Sequence, residues 1–200
     1  MLGRLLASLC ILFGLAACAD LPKTAVRPAL HDLGVQQPVP SMQNLRVAIK
    51  RLEVQAPSWF NSPAMQYRVS PNSSERRVFS QNRWAAPPSE MLALALEQAL
   101  LPGGASALEG CRIQVYLDEF TQVFDGTQSA AYIQVRVSLL DTALLPLASK
   151  TFKENMPVEP TPDAGVHGFK LGVQELSGAL SEWLLSQDLT RCQPKHGAAR

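Results

Sequence analysis

Chemistry in this chain would have to come from few residues: four cysteines, three histidines and 17 acidic side chains. His31, His167 and His196 lie far apart and share no metal-ligand spacing. No serine sits in a nucleophile-elbow pattern. Asp118 and Glu119 are neighbours on an expected strand, where successive side chains point to opposite faces, so they are not expected to work as a carboxylate pair. Gly103-Gly104 falls where no helix begins, which makes it a helix stop rather than a phosphate cradle. The sequence thus predicts no catalytic residue, no metal ligand set and no cofactor. The one covalent chemistry its spacing suggests belongs to cysteine.

Arg4 is followed by an apolar run from Leu5 to Leu15, then Ala16-Ala17, then Cys18. This is the basic, apolar and small-residue order of an export signal. Leu15-Ala16-Ala17-Cys18 resembles a lipobox, the cleavage and acylation signal of bacterial lipoproteins. That resemblance implies cleavage before Cys18, with lipid on its sulfur and on the new amino end. Two or more acyl chains hold a protein stably on a bilayer. A transmembrane anchor competes with this reading, but spanning needs about 20 apolar residues. An ordinary secretory signal with a chance cysteine is the other competitor. Ala19 follows the cysteine and Asp20 comes one place later, so by the same resemblance the expected destination is the periplasmic face of the outer membrane.

The expected organisation is a signal peptide over 1–17, a lipidated tether over 18–42, one domain over 43–192 and a tail over 193–200. The domain is long enough for a real core and too short to argue for two. Arg4 is the only charge removed with the signal, leaving basic and acidic side chains in balance. Lys50-Arg51 is the nearest thing to a basic patch, so nothing points to nucleic acid. Cys10 leaves with the signal and Cys18 carries lipid, which leaves Cys111 and Cys192. Two thiols in an exported domain are more often paired than free, and a bridge would close a loop of about 80 residues. A zinc site is the rival reading, poorly served by two cysteines with no histidine spacing.

Pro22, Pro28, Pro38 and Pro40 interrupt the segment before residue 42, and no apolar period survives there. Leu45–Leu52 alternates as a half-buried strand, and Pro57 and Pro63 bracket a loop with Trp59 and Phe60. Met65–Val69 and Arg77–Asn82 read as a hairpin. Pro87-Pro88 starts a helix to about Leu101, with Leu92, Ala95, Leu96 and Ala99 on one face. Two alternating strands follow, around Ile113–Leu117 and Ile133–Leu139, with a turn at Asp125-Gly126-Thr127; a third spans Leu147–Asn155. Val166, Phe169, Val173, Leu176, Leu180 and Trp183 make an apolar stripe on a last helix from Pro162 to Ser186. Gly168, Gly172 and Gly178 weaken that helix, a cost that makes sense if it approaches the sheet closely. The expected fold is α+β: an antiparallel sheet of about five or six strands with two amphipathic helices packed on one face. Trp59 and Phe60 are candidate partner-binding residues, the competing reading being that they fold back over the sheet edge. Trp84 is expected in the core.

In this order, Leu45–Leu52, Ala56-Pro57-Ser58-Trp59-Phe60-Asn61-Ser62-Pro63, Met65-Gln66-Tyr67-Arg68, Asn82-Arg83-Trp84-Ala85-Ala86-Pro87-Pro88, Tyr116–Phe120 and Tyr132–Asp141 resemble the ABC-type transport auxiliary lipoproteins. The resemblance spans about residues 45–190. It implies a non-enzymatic partner of an MCE-type system that moves lipid between membranes, docking the MCE-domain protein at the outer membrane; the sequence leaves a homo-oligomer open. A lipoprotein that assembles or plugs an outer-membrane barrel, and a small hydrolase without a visible motif, remain as alternatives.

Overall fold

Alternating apolar residues from Cys111 to Leu140 build the centre of a seven-stranded sheet in the computed structural model, which describes residues 27–44, 49–101 and 110–193. The strands are β1 (Ala29–His31), β2 (Ile49–Gln55), β3 (Ala64–Arg68), β4 (Arg77–Trp84), β5 (Cys111–Asp125), β6 (Gln128–Leu140) and β7 (Pro146–Val158). Helix α1 (Pro88–Leu100) follows β4, and α2 (Pro162–Leu185) follows β7. The order across the sheet is β1-β4-β3-β5-β6-β7, with β2 also on β5. β5 is 15 residues long, so β2 pairs with its first half and β3 with its second, while β6 runs along the other side.

The sheet is mixed, which corrects the expectation of an antiparallel one. β3–β4, β5–β6 and β6–β7 are antiparallel, but β1 runs parallel to β4, and β2 and β3 run parallel to β5. Parallel partners are joined by long crossovers, so they leave no hairpin signal in the local sequence. The part of the first expected strand before Ile49 lies outside the described residues, as does the helix stop at Pro102-Gly103-Gly104.

Both helices cover one face. Trp84, Phe120 and Phe169 meet at its centre, with Phe120 and Phe169 stacked at 4.2 Å between centroids and Trp84 edge-on to each. Trp84 is therefore core, as expected. α2 lies close because it presents glycine to the sheet: a Cβ on Gly168 would sit 2.6 Å from Val158 Cγ1, and one on Gly172 would sit 3.0 Å from Ile133 Cδ1. Gly178 faces open space, so its glycine is not explained by that approach.

The segment from residue 29 to 44 is not a free tether. Ala29–His31 pairs with β4, Leu33 and Met42 are buried, and the Val39 amide donates to the Ala99 carbonyl at 2.8 Å. Ser41 and Ser181 hydroxyls meet at 2.6 Å, so the segment straps across both helices. Its apolar anchors are isolated side chains rather than a periodic face, which is why no pattern announced it.

At the far end, Cys111 and Cys192 form a disulfide with α-carbons 4.8 Å apart. Arg191 pairs with the Asp141 carboxylate beside it. The amides of Leu145 and Ala143 also donate to Asp141, and with Arg191 they hold its carboxyl below the usual range.

Candidate interaction surface on the open sheet face

The face opposite the helices owes its charge pattern to one β-bulge. Pairing between β5 and β6 slips between Leu117 and Glu119, so Leu117 and Phe120 both point to the core. Asp118 and Glu119 between them both reach groups of the open face. This corrects the expectation that they point apart.

Each carboxylate is held by arginine. Arg136 donates to both oxygens of Asp118, at 3.0 Å to each at its nearest, and lies over the Tyr116 ring. That pairing keeps the Arg136 guanidinium more firmly protonated than usual. Glu119 Oε1 accepts from Arg68 at 2.8 Å and Arg76 at 2.5 Å, and its Oε2 accepts from Thr121 at 3.1 Å. Burial, then the charge of Glu119, raises the pKa of Tyr132 nearby. With every carboxylate oxygen occupied, the pair is arranged to hold shape rather than to exchange protons.

Two adjoining depressions cross this face. One of about 610 Å³ is lined by Arg68, Asp118, Glu119, Gln134 and Arg136. The other, of about 530 Å³, is lined by Asp125, Gln128, Asn155 and Pro157. They share Pro71, Val123 and Tyr132, so they form one trough. Arg51, Arg68, Arg76, Arg112, Arg136 and Lys153 serve this side against Glu53, Asp118, Glu119 and Asp125, which leaves it basic. The helices are acidic: α1 carries Glu90 and Glu97 with no base, and α2 carries Asp163, Glu175 and Glu182 against Lys170. A chain with a formal net charge of only +1 is thus polarised through its layers.

Trp59 is joined to the trough through Arg76, which donates to Glu119. Its ring is half exposed, and the Arg76 guanidinium carbon lies 5.9 Å from its centroid. Phe60 does not share that role. It is fully buried under Arg76, with none of its surface exposed, which corrects its assignment as a partner contact. Arg68, Arg76 and Arg136 were missed from sequence because only the bulge gathers their carboxylates on one face. His31 belongs to the strap, where its Nε2 meets Asn82 Oδ1 at 2.8 Å. His167 is exposed on α2, and His196 and Cys18 lie outside the described residues. Among the described residues no group of His, Cys, Asp and Glu could hold a metal ion.

The fold is similar to two crystal structures. Protein XCC0632 from Xanthomonas campestris matches at 19% identity and a TM-score of 0.65, over 78% of this chain and 95% of its own. An uncharacterized protein matches at 16% identity and a TM-score of 0.61, over 79% of this chain and 99% of its own. No curated protein matches. Residues 30–181 match the family described as the ABC-type transport auxiliary lipoprotein component, starting within the β1 strap and ending inside α2. By that match over most of its length, the chain belongs to the ABC-type transport auxiliary lipoprotein family.

Proposed function

We propose that this protein is the lipid-anchored auxiliary component of an MCE-type ABC lipid transport system, acting by binding and without turnover. Acylated Cys18 holds it on the periplasmic face of the outer membrane, and residues 18–28 give it reach. The observation that carries the binding reading is the open sheet face: a broad trough where Arg68, Asp118, Glu119 and Arg136 are held in ion pairs, with an exposed tryptophan joined to it through Arg76. Interfaces favour tryptophan and arginine in this way. The disulfide fits an oxidising compartment. No helix among the described residues is long and apolar enough to cross a membrane.

Trp59 is the contact residue, now without Phe60. Co-purification of the full-length chain with the MCE-domain protein of its cell tests the reading. Trp59→Ala is expected to weaken recovery by about tenfold or more, the loss usual for an anchoring aromatic. Wild type that recovers no MCE-domain protein refutes the partner. Cys18→Ser is expected to release the chain from the membrane fraction; unchanged fractionation and mass refute the anchor.

A further inference from the structure

β7 ends the sheet: β6 is its neighbour on one side, and among the described residues nothing pairs with the other. A free edge 13 residues long is a row of unpaired backbone donors and acceptors, ready for another strand. Lysine and proline commonly guard such edges, and β7 has Lys150, Lys153, Pro146 and Pro157. Their positions argue for a partner instead. Both prolines lie at the ends, where they limit a paired stretch without interrupting it.

On the helix side, β7 presents Ala148, Lys150, Phe152, Glu154 and Met156, opposite the buried Leu139, Val137, Val135, Ile133 and Ala131 of β6. Lys150 and Glu154 therefore flank Phe152 symmetrically. Among the described residues neither has an ion-pair partner. The Lys150 ammonium lies over the Phe152 ring at 5.0 Å. Glu154 instead faces a like charge, Glu175 of α2, and burial with that neighbour raises its carboxyl pKa.

We propose that β7 pairs antiparallel with β7 of a second copy about a two-fold axis at Phe152, joining two sheets into one. Lys150 then faces Glu154 of the second copy, and Glu154 faces its Lys150. Each lysine meets the crowded Glu154–Glu175 pair, and Thr151 faces Lys153 on the open side. The charges select this register. An axis at Lys150, Lys153 or Glu154 sets like charges opposite each other, and one at Thr151 leaves Lys150 and Glu154 unmatched. An axis between two residues would set a helix-side residue against an open-face one, which the pleat forbids. Because Phe152 is already buried within one copy, the gain is backbone hydrogen bonds and ion pairs rather than apolar area. The dimer is accordingly weak when dilute and stronger where both copies are confined to one surface. The pairing is independent of the transport reading and stands or falls without it.

The test is disulfide trapping of full-length chains in cells. Thr151→Cys and Lys153→Cys are both exposed positions and are expressed together or separately. The mixed pair is expected to give a covalent dimer on a non-reducing gel, about fivefold or more above either variant alone. Adding Lys150→Glu to both chains should cut that yield by about fivefold, and adding Glu154→Lys as well should restore it. If a charge-reversed chain fails to accumulate, Lys150→Gln and Glu154→Gln replace it and must each lower the yield. A mixed pair no better than the single variants overturns the proposal, as does a charge swap that fails to restore trapping. Cross-linking to a different protein overturns it too, assigning the edge to another strand.

Discussion

The Arg76 guanidinium lies 5.3 Å from the centre of the Phe60 ring while donating to Glu119 at 2.5 Å. One side chain thus seals a buried aromatic and fastens the loop that carries Trp59 to the central strand. Loop position and sheet charge are mechanically linked through it, so changes at Glu119 should be felt at Trp59.

Glu119→Gln should therefore destabilise the domain by about 1–3 kcal/mol, toward the lower end because Arg68, Arg76 and Glu119 keep some solvent contact. Urea unfolding gives the energy, and tryptophan fluorescence is expected to change with it. Stability equal to wild type would show that the loop is held by packing alone.

The glycines of α2 should respond in opposite directions. Gly168→Ala pushes a methyl against Val158 and Ala131, at 2.6 and 2.9 Å, and should cost about 1–3 kcal/mol. Gly178→Ala meets nothing and should stabilise by up to about 1 kcal/mol through helix propensity. Thermal melts of the two variants provide the comparison, and equal shifts would mean that α2 does not ride close to the sheet.

Cys192→Ser opens a bridge between residues 81 apart and should cost about 2–5 kcal/mol. The loss should match that of wild type unfolded under reducing conditions. Two alkylatable thiols in the exported, native protein would rule out the bridge.

Asp141 predicts an acid-sensitive corner. Its folded pKa is depressed, chiefly by the Leu145 and Ala143 amides and by Arg191, so its contribution is present above the ordinary carboxylate value. That contribution drains away as pH falls from about 4 toward the lower folded value. Asp141→Asn should be less stable than wild type at pH 7, with the gap closing in acid. A gap that stays constant across that range would remove the carboxylate's charge from the explanation.

Sequence periodicity pointed to β5, β6 and both helices because each buries one face along a continuous run, while β7, which buries only Phe152, was marked by its flanking turn residues. The cysteine pairing followed from elimination once an exported chain was assumed. Three features were hidden for physical reasons. The strap holds on through Leu33, Met42 and a backbone bond to Ala99, none of which makes a pattern. The parallel partners of β1, β2 and β3 lie across long crossovers. The bulge before Glu119 shifts the phase of β5 by one residue, and Asp118-Glu119 looks the same in sequence with or without it. The site depends on that shift, so its residues could not be assembled from spacing. Trp59 and Phe60 rest on one argument, that aromatics between prolines are costly to expose, and of the two the structure leaves only Trp59 exposed.

Synthesis runs from the amino end, so Cys111 waits as a free thiol while the next 81 residues are made. During that delay the cysteines already present are Cys10 and Cys18, and Cys18 is the one proposed to carry lipid. Oxidation of an incomplete chain on export would trap the proposed anchor residue in the wrong bond. Modification of Cys18 before Cys192 arrives would remove that competitor and leave Cys111 a single correct choice.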